Sequence, residues 1–404
     1  MKSRGAVRIL IYSHDSFGLG HLRRCRTIAH ALVERNPNYS VLILTGSSII
    51  GSFDFRPRVD FVRVPGVIKL RNGDYTPHSL HIDIEQTLRM RASIVQHTAD
   101  MFDPDLFLVD KEPLGLRGEV HDTLVMLKTR GTPVVLGLRD VMDEPSLLAP
   151  EWRRKRVVPA LRDLYDEIWI YGLAQFCDPL AGIDLPRAVR NKVVYTGYLH
   201  RGLANGHGPQ MPLQKLKEPF LLVTTGGGGD GDVMIDWVLR AYEEHGRRIS
   251  QGALLVLGPF MQTARQAEFL ARAARLPQVE AITFDAHIEH LMAQASGVVA
   301  MGGYNTFCEI LSFDKKALIV PRTVPRMEQY IRAARAEELG LVRMLPEDGR
   351  KDAAAMARAL RQLPDQPPPS RSMMPGMLEG LDQVNRLVGA FVARRELALA
   401  GKSL

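Results

Sequence analysis

Residues 13–24, SHDSFGLGHLRR, set a histidine directly behind a Gly-x-Gly turn. The turn follows the short apolar run 7–12, VRILIY, and opens a helical pattern. A strand feeding Gly18 and Gly20 into a helix presents backbone N–H groups to a phosphate. The positive end of the helix dipole disfavours an imidazolium, so His21 is suited to act as a neutral general base near pH 7. A dinucleotide fingerprint would want a third glycine near Arg23 and an acid after the second strand. Here Arg23 and Arg24 fill the next turn, and the second strand ends in Thr45-Gly46. The loop therefore offers a base and cations for chemistry on a phosphorylated substrate, not room for a nicotinamide dinucleotide.

Three later loops repeat the strand-turn-helix arrangement. In 224–232, TTGGGGDGD, Thr225 and the glycines Gly226, Gly227, Gly228 and Gly229 let a phosphate approach without meeting a Cβ. Asp230 and Asp232 would repel that phosphate, so they are expected to cap the following helix. In 301–309, MGGYNTFCE, Gly302 and Gly303 end a strand and Asn305 or Thr306 begins a helix. Glu309, a turn in, suits the two hydroxyls of a ribose, or simply complements the helix dipole. In 321–330, PRTVPRMEQY, Glu328 and Gln329 suit sugar hydroxyls, and Arg322 or Arg326 a phosphate. Asp110 and Arg139 end predicted strands and, with Asp15 and Arg24, are acceptor-side candidates. His287 and His290 stand three apart with no third ligand in view, so no metal site is read.

These loops need strands to carry them. Candidate strands fall at 8–12, 41–45, 61–64, 106–110, 134–138, 168–171 and 193–196, each pair separated by helical patterning. The first helix is the best defined. Leu22, Cys25, Ile28, Ala29, Leu32 and Val33 share one stripe, Asn36-Pro37 ends it, and Arg23, Arg24, Arg26 and His30 are expected on the polar face. A Gly- and Pro-rich stretch at 201–217 reads as a linker. Alternation resumes with strands at 220–224, 254–257, 281–284, 298–301, 317–320 and 341–344. A Pro-rich break at 364–370 precedes an amphipathic helix over 374–397. The expected organisation is an N-terminal domain 1–200, a linker, a C-terminal domain 218–369 and a tail 370–404. Both domains are α/β and doubly wound, with ligands at the carboxyl ends of the strands, facing a cleft.

At 404 residues the chain is long enough for two such cores. Ordinary hydrophobic and charged fractions, 46% and 24%, mark it as globular. No apolar run reaches the roughly 18 residues of a membrane span, and the start of the chain does not read as a signal peptide. Three scattered cysteines make no disulfide framework or metal motif, which fits a cytoplasmic location. A net charge of +7 favours anionic partners, but the cations are dispersed and no nucleic-acid module accompanies them. The exception is WRRKR at 152–156, either a solvated helix face or a peripheral contact with anionic headgroups.

The segments GLGHLRRCRTIAHAL, VVYTGYL, TTGGGGDG, MGGYNTFCE and EQYIRAARAEELG, in that order, resemble inverting glycosyltransferases of the two-Rossmann (GT-B) architecture. They are most similar to the group containing the peptidoglycan lipid-intermediate N-acetylglucosaminyltransferase. The Gly-His-x-x-Arg-Cys pattern is also similar to the UDP-sugar hydrolase of the pseudaminic acid pathway, whose matching histidine activates a water. The resemblance implies that His21 is the catalytic base or an acceptor-side residue, that 226–229 is the donor-phosphate loop, and that Glu309 holds the ribose. It makes Glu328 and Gln329 contacts to the donor sugar, and sends the last helix back to the N-terminal domain. It implies no bound metal or cofactor, with a nucleotide-diphosphate sugar as co-substrate.

The leading expectation is a metal-independent inverting glycosyltransferase using a UDP-linked sugar, in polysaccharide or cell-envelope glycan synthesis. Its acceptor would be a glycan, a lipid-linked molecule or a small molecule, met in the cytoplasm or at the inner membrane face. A nucleotide-sugar hydrolase is the alternative; segment 53–100, material a hydrolase does not need, is expected to shape an acceptor pocket. A non-catalytic nucleotide-sugar sensor would have no use for His21.

Overall fold

The structure is a computed structural model that describes all residues except 1–4, 16–18, 71–73, 204–215, 217–218, 348 and 401–404, and the side chains of 69 and 398–400. The chain divides into two compact units, one of 1–199 with 379–404 and one of 200–378.

The first unit is built on β1 (Val7–Tyr12), β2 (Tyr39–Thr45), β3 (Val59–Arg63), β4 (Val67–Lys69), β5 (Tyr75–Pro77), β6 (Leu106–Asp110), β7 (Val134–Arg139), β8 (Glu167–Tyr171) and β9 (Val193–Tyr195). Seven of these form a parallel sheet in the order β3-β2-β1-β6-β7-β8-β9. Helices cover both faces, so its central strands read as near-continuous apolar runs instead of alternating. Leu106–Asp110 is buried at every position. The order reverses between β1 and β6, which pair from Ile9 with Leu106 to Tyr12 with Val109. A doubly wound sheet opens its ligand crevice at such a reversal, beyond the strand ends. Strands β4 and β5 form a separate antiparallel hairpin that the sequence reading missed.

The second unit carries β10 (Phe220–Thr224), β11 (Gly252–Val256), β12 (Val279–Ile282), β13 (Gly297–Ala300), β14 (Ala317–Ile319) and β15 (Arg343–Met344). They pair in parallel in the order β12-β11-β10-β13-β14-β15. Its reversal lies between β10 and β13, where Thr224 pairs with Ala300. Both reversals fall at the loops singled out by composition.

The last helix, Gly380–Ala400, belongs to the first unit. It packs on the helix Gly20–Arg35: Arg35 ion-pairs with Asp382, and Asn36 Nδ2 donates to Asn385 Oδ1 at 3.1 Å. Its Val384, Val388 and Phe391 are buried. Residues 370–378 stay with the second unit, so the chain crosses later than the Pro-rich break suggests.

Candidate active site

His21 is the second residue of the helix Gly20–Arg35, just beyond β1, and Asp110 is the last residue of β6. The reversal of the sheet brings them together, and His21 Nδ1 bonds the Asp110 carboxylate. Asp110 also accepts from Arg24: Nε reaches Oδ1 at 2.8 Å and Nη2 reaches Oδ1 and Oδ2 at 2.6 and 2.7 Å. Burial opposes ionisation of Asp110, but the Arg24 guanidinium and His21 hold its carboxyl far below the ordinary carboxylate range. An ionised carboxylate only accepts, so His21 Nδ1 carries the proton and Nε2 keeps a lone pair. Arg24 Nη2, 3.1 Å from the same Nδ1, is then a close neighbour and not a donor to it. Burial lowers the His21 pKa, with Asp110 partly offsetting it, so the imidazole is neutral at pH 7. A neutral base with a fixed tautomer suits abstraction of a hydroxyl proton.

Arg24 departs from expectation. It is placed by helical spacing on the polar face, yet its side chain is only 2% exposed. The charge of Asp110, from the neighbouring strand, draws it inward. Asp15 is buried as well; its Oδ1 accepts the Leu22 N–H at 3.1 Å and its Oδ2 the Thr45 hydroxyl. It thereby satisfies one of the open N–H groups at the helix start, a structural use of a residue expected on the acceptor side. Arg139 closes β7, two strands from β1. Gly18 lies outside the described residues.

In the second unit the glycine-rich loop is less open than its composition implies. Gly228 is buried, and a Cβ there would stand 2.4 Å from the Leu257 carbonyl, so this glycine serves packing. Gly226, at φ +70°, faces open space, and its N–H reaches Thr224 Oγ1 at 3.3 Å. Gly227 and Gly229 remain accessible, while Thr225 Oγ1 donates to the Leu257 carbonyl at 2.6 Å. Asp230 and Asp232 do not cap: the N-cap of the helix Asp232–His245 is Gly231, without a side-chain bond. Asp230 instead ion-pairs with Arg322 Nε. Arg322 Nη2 bonds Glu328 Oε1 at 2.9 Å, and its N–H donates to Gln329 Oε1 at 3.2 Å. The 321–330 loop is thus tied to the glycine-rich loop through the arginine expected to meet a phosphate.

Gly303 is the N-cap of the helix Tyr304–Ser312, which therefore starts a residue before Asn305. Asn305 Oδ1 accepts from Arg201 Nη2 at 2.7 Å, a contact within this unit that spacing could not reveal. Thr306 is buried and Glu309 fully so, and the Gly302 carbonyl accepts from Arg332 Nη1 at 2.9 Å. Trp152 of the WRRKR stretch is 4% exposed and packs in the first core, leaving no aromatic for a membrane. Lys155 is paired with Glu112 and Glu151 at 3.0 and 2.6 Å. Arg153, Arg154 and Arg156 are exposed. Among the described residues no cluster of His, Cys, Asp or Glu is arranged to hold a metal, and no helix is long and apolar enough to cross a membrane.

Sequence reasoning had no means to find His14. It lies just beyond β1, seven residues before His21, 6% exposed, with the two rings edge-to-face at 5.7 Å.

Residues 221–378 match the model of the glycosyltransferase family 28 C-terminal domain. Among solved structures, the calicheamicin glycosyltransferase CalG4 superposes with a TM-score of 0.54 at 14% identity, covering 98% of each chain. MurG of Acinetobacter baumannii gives 0.56 at 10% identity, over 94% of this chain and 99% of that one. The glycosyltransferase VinC, in complex with dTDP, gives 0.60 at 15%, over 96% and 100%. No curated protein matches the sequence. At these identities the structural likenesses show the shared two-Rossmann (GT-B) fold alone. The family match shows a glycosyltransferase domain in the second unit, and the chain that carries it is a glycosyltransferase.

Proposed function

We propose that the protein is a metal-independent, inverting glycosyltransferase that moves a sugar from a nucleoside-diphosphate donor, UDP-linked in this reading, to an acceptor hydroxyl. One observation carries the proposal: His21 is held through Nδ1 by an ionised Asp110 at the switch point of the first sheet. The family match supports donor binding by the second unit, and the dTDP bound by VinC supports a nucleoside diphosphate as the group recognised.

In the proposed step, His21 Nε2 takes the proton of the acceptor hydroxyl as its oxygen attacks the anomeric carbon. Attack comes from the face opposite the diphosphate, so the C–O bond to the phosphate breaks with inversion and the electron pair leaves with the diphosphate. Asp110 stabilises the imidazolium that forms, and backbone N–H groups at Gly227, Gly229 and the turn before Tyr304 meet the charge on the leaving group. Arg322 would exchange Asp230 for a phosphate oxygen, Glu328 and Gln329 would hold sugar hydroxyls, and Glu309 the ribose. The reading includes a cytoplasmic location. Exposed Arg153, Arg154 and Arg156 suit anionic headgroups, which would bring the enzyme to a lipid-linked acceptor.

Incubation with UDP-, GDP- and dTDP-sugars, with and without hydroxyl acceptors, tests the proposal. The expected result is a glycosylated product from the UDP donor. His21→Ala should slow turnover by about 10²-fold or more, leaving UDP affinity unchanged. Release of free sugar at full rate without acceptor would make the protein a hydrolase.

A further inference from the structure

A cavity of about 350 Å³ opens in the first unit, lined in part by His14, Tyr75, Glu112, Leu114, Leu116 and Lys155. That is the small end of the about 300–1,000 Å³ of small-molecule sites. Its other walls include Pro113, Val157 and Arg117; the charge of Glu112 is answered by Lys155 at 3.0 Å and that of Arg117 by Glu85 at 3.2 Å. The hairpin β4–β5 contributes Tyr75, so segment 53–100 does help to shape a pocket.

His14 is the lining group whose hydrogen bonding can be deduced. Its one hydrogen bond among the described residues runs between Nδ1 and the Tyr12 hydroxyl at 3.4 Å. That hydroxyl donates to the Glu119 carboxylate, which Arg91 grips through Nε and Nη2 at 2.6 and 2.7 Å. With its proton committed to Glu119, the Tyr12 oxygen can only accept, from the Leu116 N–H at 3.3 Å and from His14. His14 therefore carries its proton on Nδ1 and keeps a lone pair on Nε2. Burial pushes the His14 pKa well below the ordinary value, so the ring stays neutral. The chain Arg91–Glu119–Tyr12–His14 parallels Arg24–Asp110–His21, and the two imidazoles meet edge-to-face. Two buried arginine–carboxylate pairs thus fix two histidine tautomers beyond the end of one strand.

We propose that this cavity is the acceptor site, and that His14 Nε2 accepts a hydrogen bond from a hydroxyl or N–H of an uncharged, apolar-bodied acceptor. The inference rests on the transferase reading for the purpose of the ligand, but the cavity and the tautomer stand apart from it. A phosphate or carboxylate would bring only acceptors against the lone pair of His14. A ligand with a hydroxyl-bearing ring and an apolar ring satisfies both the histidine and the leucine walls. His14 is a binding residue, and Tyr12 a positioning residue acting through it.

The full-length protein, labelled with ¹⁵N-histidine, is titrated with phenyl β-D-glucopyranoside and separately with phenyl phosphate, following His14 by NMR. The expected spectrum shows a neutral His14 protonated at Nδ1, whose Nε2 resonance moves with the glucoside and not with the phosphate. His14→Phe should weaken glucoside binding by about five- to tenfold, the worth of one hydrogen bond, with UDP affinity by calorimetry unchanged. His14→Gln, which restores an acceptor, should recover most of that loss, and melting curves show that each variant folds. A proton on Nε2, no binding of the glucoside by the wild type, or equal binding by His14→Phe would overturn the proposal. Glucoside binding without UDP binding or sugar transfer would instead overturn the function proposed above and leave the cavity assignment standing.

Discussion

At the scale of single residues, the chemistry turns on which nitrogen of His21 holds the proton. Asp110 settles that, and it also raises the His21 pKa against the larger lowering by burial. The base must be neutral to work, so activity should fall as pH drops through a value below the ordinary 6.5. Asp110→Asn removes the negative charge that raises the pKa, so the acid limb should move to still lower pH while the plateau drops. A profile of kcat/KM against pH reads both, and a limb moving upward would mean that Asp110 does not act on His21. Glu309 carries a second residue-scale expectation. Its carboxylate is fully buried, and if it binds a ribose, Glu309→Gln should weaken UDP binding by about 1.5–3 kcal/mol. Calorimetry showing unchanged affinity would leave Glu309 a buried structural carboxylate in the second turn of the helix Tyr304–Ser312.

At the scale of elements, both sites are loops between a buried parallel strand and a helix, and their glycines divide by use. Gly228 has φ +86° and no space for a Cβ, whereas Gly226 has φ +70° and open space. Gly226→Ala should therefore cost only the left-handed conformation, about 1–2 kcal/mol. Gly228→Ala should cost more, because the Leu257–Gly258 backbone must move, and the displaced loop should weaken nucleotide binding as well. Denaturant midpoints and UDP titrations of the two variants compare them directly; equal losses would show that close packing of Gly228 is unimportant. Arg322 links this loop to 321–330, so displacement of one element is felt by the other.

At the scale of the molecule, the chain leaves its first unit at Leu199 and returns at Glu379. Truncation before Gly380 removes the buried side chains of Val384, Val388 and Phe391 from the first unit, each worth about 1.5–3 kcal/mol when fully buried. The shortened protein should lose several kcal/mol of first-unit stability and most transfer activity, yet still bind UDP through residues 200–378. Two melting transitions, only the first shifted and only the second raised by UDP, are the expected calorimetric trace. Loss of UDP binding as well would mean that the tail also supports the donor unit.

Local pattern was enough for the two α/β units, the strand ends and the loops after them, because parallel strands buried on both faces read as apolar runs bounded by turns. The type and spacing of residues 18–21 were enough to single out His21, and four consecutive glycines to mark the second loop. Partners distant in sequence were another matter. That Asp110 fixes His21, that Arg24 turns inward, that Asp230 grips Arg322 instead of capping a helix, and that Trp152 fills a core are decided by strand order. His14 was illegible for the same reason: its proton is assigned through Tyr12, Glu119 and Arg91, which lie on three separate segments. Periodicity records which face of an element is buried. Only the folded chain sets which charge stands opposite it.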